Sequence, residues 1–408
     1  MEGQGRLLQW AAMVQDPVIA TARGVAESYL LGGVPAPRRP PSVQRRYAIG
    51  DPQTSADKFW AVLAQHGLLA ADGWLRPDVG LVSMGDHFDY GSVTLPLDRA
   101  GLAERGREGL CLLAWLAAHP REQVTILFGN HDLARVQELS PFHAGGFERA
   151  QARAEAVRML PPGDERQELE RAFIADFPTL ASSEVAVRDL STFQPEQADL
   201  VRAMLLEGRA DVAAVHEMAC QPVLLTHNGI TRRELALLSL PQHADAHTIG
   251  QRLAHFLRDA VERVRVSWEA GRAEPLDLAP VHHASHAGLE SGGLFAHRPA
   301  DPAGRSDASV VFDEARPRRF HPERLPLGLA QACGHTRPRS SARELSRWAT
   351  EDVHHAELGP LRTLRVCGEQ VRYALGLLPH TADAATLYMI DPHLHDALPE
   401  RVQLLELW

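Results

Sequence analysis

The apolar residues of the first thirty positions recur with the spacing of an amphipathic helix over 6–31. They are Leu7, Leu8, Ala11, Val14, Ile19 and Val25. The stretch GGVPAPRRPPS at 32–42 follows, and its Gly and clustered Pro residues end the helix and favour an extended linker. We therefore predict that residues 1–44 form an N-terminal helical extension and a Pro-rich linker.

From residue 45 onward, short apolar runs alternate with helical patterns, which indicates an α/β fold. Three early runs predict strands that end in polar residues: RRYAIGD (45–51), DVGLVSMGD (78–86) and EQVTILFGNHD (122–132). The intervening helices are predicted over ADKFWAVLAQHGLL (56–69) and LAERGREGLCLLAWLAAH (102–119).

Residues from about 140 to 215 are charged and Ala-rich, and they predict an inserted helical cap whose last helix runs through PEQADLVRAMLLEGRADVAAVHEM (195–218). A strand over QPVLLTHNG (221–229), a helix over 247–270, a long loop at 275–327 and a strand over LAQACGHT (329–336) follow. The remaining runs, at 362–368, 371–378, 386–391 and 401–408, predict a closing antiparallel sheet.

The composition of the 408 residues, 45% apolar and 23% charged, is that of a globular protein and excludes collagen-like, disordered and membrane classes. The formal charge of −10 disfavours nucleic acid as a partner, and the basic patches at 316–321 and 337–343 are interpreted as solvated loop charges.

The four cysteines contain no C-x-x-C pair, and the N-terminal sequence does not resemble a signal peptide. No segment reaches the ~20 apolar residues that span a bilayer. We therefore expect a cytoplasmic protein with reduced thiols and no membrane partner, and the oligomeric state stays open.

Polar residues collect at five predicted strand ends: Asp51 with Gln53, GDHFDYG (85–91), GNHD (129–132), THNG (226–229) and GHT (334–336). Asp, Asn and His donors suit divalent Mn, Fe and Zn. Burying Asp51 beside Asp86 would be costly unless positive charge lies between them. Divalent cations would supply that charge.

Five motifs follow one another over about 45–340: D-x-[H/Q], G-D-x-x-D-x-G, G-N-H-[D/E], H-x-G and G-H. This ordered series resembles that of the calcineurin-like metallophosphoesterases, a superfamily of dinuclear-metal phosphohydrolases. The resemblance implies a metallophosphoesterase domain over 45–408, a four-layer sandwich of two mixed β-sheets flanked by helices.

The resemblance implies six metal ligands: Asp51 and Gln53 for one ion, Asp86 as the bridge, and Asn130, His227 and His335 for the other. Asn130 would also contact the substrate. His131 would be the general acid, and Asp89 would orient it. The cofactors would be two divalent ions, with Mn expected and Fe or Zn as alternatives.

Three positions depart from the commonest pattern. Gln53 stands where histidine is usual, and its weaker amide donor would bias the site towards a harder ion such as Mn. Tyr90 and Phe128 stand where phosphoprotein phosphatases carry arginines.

Phosphate must therefore be bound by another residue. Arg298 in GGLFAHRP (292–299) is a candidate because this stretch resembles a W-x-R loop of phosphoprotein-phosphatase-like and diadenosine-tetraphosphatase-like members, although it could equally be an exposed loop arginine. His282, His283 and His286 form a further cluster, but loop histidines without an acid partner are usually not ligands.

The leading interpretation is a phosphohydrolase that acts on phosphomonoesters or phosphoanhydrides of a small molecule or a phosphoprotein, with a metal-activated hydroxide as the nucleophile. A phosphodiesterase or nuclease is a second possibility, which the acidic charge disfavours. A third is a binding or regulatory module that keeps the fold with a weak or inactive site.

Overall fold

The structure is a computed structural model, and it describes residues 16–408 except 34, 35, 38, 144 and 304. Strands and helices alternate through the first part of the chain. In order they are α1 (Pro17–Leu30), β1 (Arg45–Ile49), α2 (Ala56–Gln65), β2 (Val79–Ser83), α3 (Arg99–Ala118), β3 (Val124–Ile126) and the short α4 (Asn130–Ala134).

A helical segment follows, made of α5 (Gly146–Met159), α6 (Asp164–Asp176), a π-helical turn (Val185–Asp189) and α7 (Pro195–Leu206). These helices bury their own cluster of side chains, which includes Phe147, Phe173 and Val187. The chain then continues through β4 (Ala213–Met218), β5 (Gln221–Thr226), α8 (Arg232–Leu237) and α9 (Ala246–Glu269).

The last part of the chain holds short elements followed by longer strands. They are β6 (His282–His283), β7 (Gly292–Gly293), β8 (Arg298–Pro299), α10 (Ala308–Val311), β9 (Arg319–Phe320), β10 (Ala330–Cys333), α11 (Pro338–Glu344), α12 (Glu351–His355), β11 (Arg362–Cys367), β12 (Gln370–Leu375), β13 (Ala385–Met389) and β14 (Leu405–Leu407). Single 3₁₀ turns lie at Pro322–Arg324, Ser346–Trp348 and Pro399–Arg401.

Two mixed sheets organise these strands, which confirms the predicted mixed α/β class. The first has the order β14-β1-β2-β3, with β1, β2 and β3 parallel and β14 antiparallel to β1. The second has the order β12-β11-β13-β10-β5-β4, in which β13, β10 and β5 are parallel and the remaining pairs are antiparallel.

The two sheets share one buried apolar cluster, to which both contribute alternate side chains. Its members include Ala48, Val82 and Leu405 from the first sheet and Val223, Ala332 and Tyr388 from the second. None of the helices in the described residues has the length and apolar character needed to cross a bilayer.

The prediction of one helix over 195–218 is wrong for its second half. The helix ends at Leu206, and Ala213–Met218 forms β4, which pairs antiparallel with β5. Ala219 and Cys220 join the two strands with φ of 47° and 64°, a left-handed pair that closes a tight hairpin. The Ala-rich sequence favours a helix locally, but in the folded chain hydrogen bonds to β5 stabilise a strand instead. The sequence pattern could not show this, because β5 comes close only when the chain folds.

The prediction of one closing antiparallel sheet is also wrong in part. Strand β11 is antiparallel to both β12 and β13, but the three strands extend the sheet of β10 and β5. Strand β14 pairs with β1 at the edge of the other sheet, where Leu405 lies opposite Ala48. Of the predicted N-terminal helix, residues 6–15 lie outside the described residues, and the helix is present from Pro17 to Leu30.

Helix α1 is tied to the α/β core by one arginine. Arg23 donates to Asp57 at 2.7 Å and to both oxygens of Glu108, at 2.9 and 3.1 Å. Glu108 also accepts the backbone N–H of Ala56 at the start of α2, and it is 7% exposed. Without Arg23, this buried carboxylate would lose its nearest positive charge.

We expect Arg23→Met to lower the free energy of unfolding by about 2 kcal/mol, between the cost of an exposed pair and that of a fully buried one. The matched control is Arg107→Met on α3, because Arg107 pairs with Glu104 at 2.6 Å and both side chains are more than 60% exposed. The control should lose less than about 0.5 kcal/mol in urea unfolding. Equal losses would contradict the role assigned to Arg23.

Candidate metal centre

Four of the residues predicted as metal ligands lie together where the two sheets meet. Asp51 and Asp86 follow β1 and β2 of the first sheet, while His227 and His335 follow β5 and β10 of the second. Because the carboxyl ends of parallel strands share one edge of a sheet, two packed sheets bring four such ends together. All four side chains are buried, and one potential ligand atom from each lies within 4.8 Å of the others.

The distances within this cluster are short. Asp86 Oδ2 lies 3.4 Å from His227 Nε2 and 3.9 Å from His335 Nδ1, and these two ring nitrogens are 3.0 Å apart. Two carboxylates and two imidazoles at this separation could hold a metal ion. The predicted metal site is confirmed to that extent.

Backbone carbonyls fix the orientation of both rings. His227 Nδ1 lies 2.9 Å from the Met84 carbonyl oxygen, and His335 Nε2 lies 3.2 Å from that of Ala296. A carbonyl only accepts, so these outer nitrogens carry the protons, and the inner nitrogens present lone pairs to each other. Such a pair needs a shared proton or a cation.

The carboxylates around the two rings also favour a positive charge between them. Burial alone would lower the pKa of His227, but Asp86 and Asp51 outweigh it and raise the pKa to about 9. Burial and the charge of Arg298 hold the pKa of His335 well below its usual range. The cluster therefore favours one positive charge shared between the two rings.

Three glycines allow the strand ends to approach this closely. A Cβ on Gly129 would lie 2.3 Å from Asp86 Oδ1, one on Gly334 would lie 2.1 Å from Asp51 Oδ1, and one on Gly85 would lie 2.4 Å from the Gly129 nitrogen. Each separation is below any real Cβ contact, so these close approaches require glycine at 85, 129 and 334.

Four residues of the candidate site have strained backbones. Asp51, Asp86 and His335 have φ of 32°, 57° and 55°, and Asp89 has 62°. The left-handed region costs a non-glycine residue of order 1–3 kcal/mol, and such strain persists only where surrounding contacts impose it. It concentrates here in the candidate site.

His131 lies at the edge of the cluster, at the start of α4. Its Nδ1 lies 2.9 Å from Asp89 Oδ2, and its Nε2 lies 3.9 Å from Asp86 Oδ2. Burial lowers the pKa of His131, but Asp86 and Asp89 together raise it above its usual value. Its neighbour Asn130 places Oδ1 3.2 Å from His227 Nε2, so both predicted residues join the site.

Asp89 is held by residues that sequence analysis did not identify. Arg135 donates to its Oδ2 at 2.5 Å, and the Thr192 hydroxyl donates to its Oδ1 at 2.7 Å. Although burial would raise the pKa of the Asp89 carboxyl, Arg135 and His131 hold it well below its usual range. Thr192 belongs to the helical segment, so that segment contacts the carboxylate that orients His131.

Gln53 is buried beside Asp51, but both ends of its amide are occupied. Its Nε2 donates to the Phe88 carbonyl at 3.0 Å, and its Oε1 accepts from Arg337 at 3.2 Å. Gln53 therefore lies near the cluster, but its Oε1, the atom that could bind a metal, accepts a hydrogen bond from the guanidinium of Arg337. The sequence contained no signal for this pairing of residues 284 positions apart.

Arg298 lies close enough to the cluster to interact with it electrostatically. Burial and the charges of Arg319 and Arg337 lower its pKa to about 10, and Asp51 and Asp86 act in the opposite direction. Its Nε is buried and has no hydrogen-bond partner among the described residues.

The histidines of the 275–327 loop stay apart from the cluster. His282 packs edge-on against Phe295 at 5.3 Å, and burial lowers its pKa to about 3. His286 pairs with Arg316, and among the described residues no second group of His, Cys, Asp or Glu has metal-ligand spacing.

Two further aspartates belong to the site. Asp132 accepts the backbone N–H groups of Asp86, His87 and Gly129, at 2.8 to 3.0 Å, so it joins two strand-end loops. Asp391 follows β13, and a Cβ on Gly50 would lie 2.7 Å from its nitrogen. The sequence MIDPH repeats the strand-then-Asp-Pro pattern of YAIGDPQ, a signal that could have identified Asp391.

Comparisons with protein-family models, with curated proteins and with solved structures give no match in any of the three. The account of this site therefore depends on its own geometry.

We expect Gly334→Ala to weaken Mn²⁺ binding at least about 10-fold, as seen when residues that support metal ligands are changed, because the new methyl group must displace Asp51. Gly24→Ala is the matched control, since its Cβ would meet nothing within 4 Å. It should leave the affinity unchanged and stabilise α1 by roughly 0.5–1 kcal/mol. Calorimetric titration measures both variants, and unchanged affinity in Gly334→Ala would contradict the prediction.

Proposed function

We propose that this protein is a metal-dependent phosphoric ester hydrolase. The observation that carries the proposal is the buried group Asp51, Asp86, His227 and His335, with the His131–Asp89 pair at its edge. A metal-ligand group alone would also suit a structural site. A partly exposed histidine held by a buried carboxylate beside that group is typical of acid–base catalysis.

The four residues of the cluster fit a borderline divalent ion. Carboxylate oxygens with imidazole nitrogens suit Mn²⁺, Fe²⁺ and Zn²⁺, and the carbonyls of Met84 and Ala296 orient the rings as expected for metal-binding histidines. A bound divalent ion would supply Lewis-acid polarisation and lower the pKa of water. The protein's own residues must then place the substrate and supply a proton.

His131 is the proton donor in this proposal. Its Nδ1–H donates to Asp89, so its Nε2 is the atom directed towards Asp86 and the centre. The side chain is 16% exposed, which leaves it accessible to a leaving-group oxygen. Asp86 and Asp89 raise the pKa of His131, which favours the doubly protonated ring that a proton donor requires.

Arg298 is the candidate for binding a phosphoryl oxygen. Its buried Nε lacks a partner among the described residues, and the guanidinium interacts with Asp51 and Asp86. An unpaired buried donor is costly, and an anionic substrate would satisfy it. Asn130, beside His131, presents its amide at the same edge.

The resemblance to calcineurin-like metallophosphoesterases supports phosphomonoesters or phosphoanhydrides as the substrate class. The formal charge of −10 disfavours a polyanionic nucleic acid. A phosphorylated small molecule or a phosphoprotein fits these properties better.

The direct test is hydrolysis of phosphoprotein, mononucleotide, dinucleoside polyphosphate and cyclic diester substrates by chelator-treated protein, before and after Mn²⁺ is added. We expect phosphate release that depends on Mn²⁺ and that Asp86→Asn abolishes. Metal binding without hydrolysis of any substrate would favour a binding module instead.

The role of His131 predicts a dependence on the leaving group. We expect His131→Ala to lower kcat for phenyl phosphate by about 100-fold or more, because a poor leaving group needs the proton. The loss with p-nitrophenyl phosphate should be about 10-fold or less, since p-nitrophenolate departs without help. His255→Ala, at an exposed position of α9, is the control and should behave as wild type. Equal losses on both substrates would rule out His131 as the acid.

A further inference from the structure

The number of metal ions that the centre can hold depends on the hydrogen bonds that the candidate ligands already make. The sequence resemblance implies two ions, with Asp51, Gln53 and Asp86 around the first. Of these, Gln53 has its Oε1 on Arg337 at 3.2 Å, while the Phe88 carbonyl accepts from its Nε2 at 3.0 Å and fixes which end is oxygen. The oxygen of this amide therefore faces a positive charge, which opposes the binding of a cation at the same atom.

The two oxygens of Asp86 face different groups. Its Oδ1 accepts the backbone N–H of His131 at 2.9 Å, and its Oδ2 faces the rings of His227 and His335. Asp51 is similar, because its Oδ1 accepts the His335 N–H at 2.6 Å. A second ion about 3.5–4 Å from the first would have to be bound where the resemblance implies Gln53 as a ligand, and the Oε1 atom of Gln53 already accepts from a guanidinium.

Arg337 lies beside Asp51, at the edge of the four clustered residues. A cavity of about 130 Å³ adjoins Asp51 and is lined also by Gln53, Tyr90, Arg337, Asp391 and His393. Asp51 and Asp391 are both buried carboxylates, and Asp391 Oδ2 has no hydrogen-bond partner among the described residues. Arg337 is the positively charged side chain among these lining residues.

We infer that the centre takes a single divalent ion and that the guanidinium of Arg337 provides the positive charge where the resemblance implies a second ion. The ligands of the single ion are Asp51, Asp86, His227 and His335. A planar guanidinium bound to Gln53 through one nitrogen retains N–H groups for an anion. If the proposed hydrolase function holds, Arg337 also binds a phosphoryl oxygen of the substrate.

Measuring the metal content directly tests whether the centre binds one ion. Chelator-treated full-length protein is loaded with excess Mn²⁺ and desalted, and its Mn content is measured by mass spectrometry with Asp86→Asn as the background. We expect one ion per chain above background and an electron paramagnetic resonance spectrum of isolated Mn²⁺. Two ions with exchange coupling would overturn the inference. No ion would overturn it together with the proposed function, whereas one ion without hydrolysis would overturn only the function.

Substitutions test whether Arg337 excludes a second ion. Gln53→His alone should still bind one ion, because the guanidinium remains in place. The double variant Gln53→His with Arg337→His should bind two, since it replaces the amide and the charge with imidazole donors. A second ion in the single variant would show that Arg337 does not exclude it. Thermal melts followed by circular dichroism establish that each variant is folded.

Binding of inorganic phosphate to the Mn²⁺-loaded protein tests the anion role. We expect Arg337→Met to weaken phosphate binding about 10-fold to 100-fold, the usual effect of losing a hydrogen bond to a charged group, with Mn content unchanged. Arg343→Met is the matched control, on the helix that begins directly after Arg337, since Arg343 is 79% exposed and lies near Glu344. Equal affinity in the two variants would overturn the assignment of Arg337.

Discussion

The repulsion between the buried carboxylates of Asp51 and Asp86 is the constraint on which the rest of the site depends. Both side chains are 5% exposed or less, and neither has an arginine or lysine within ion-pair distance among the described residues. The nearest positive charge that the protein offers is a protonated His227. A divalent cation would relieve the repulsion more completely, because it also accepts the lone pairs of both rings.

This constraint accounts for the backbone around the site. Carboxylates can meet only if the loops after β1, β2, β3 and β10 approach within van der Waals contact, and the glycines at 85, 129 and 334 make that approach possible. The left-handed φ values of Asp51, Asp86 and His335 turn each side chain inwards immediately after its strand. Asp132 then joins two of the loops by accepting three backbone N–H groups.

A second set of charges surrounds the first and is balanced within the protein. Asp89 is paired with both Arg135 and His131, so an ion pair within the protein holds the carboxylate that His131 contacts. Thr192 and Gln197, from the helical segment, bind Asp89 and Arg135. The segment therefore contributes to the position of His131, although it provides none of the four clustered ligands.

Local sequence was sufficient to predict the α/β class and the residue types of the site. A strand followed by Gly-Asp, Gly-Asn or Gly-His is a short-range pattern, so Asp51, Asp86 and His335 could be proposed from it. His227 follows its strand without a glycine, in THNG. The sequence could not show that 213–218 would be a strand or that β14 would join β1, because both depend on partners that only folding brings close.

The tertiary structure alone decided where each polar atom points. Gln53 and Arg337 are 284 residues apart, and Asp89 and Thr192 are 103 apart, so neither pair leaves a trace in local spacing. Composition and pattern specify which donors and acceptors a chain carries. The packing of two sheets and a helical segment determines which of them pair with one another, because each hydrogen bond requires a distance and an angle that no short stretch of sequence contains.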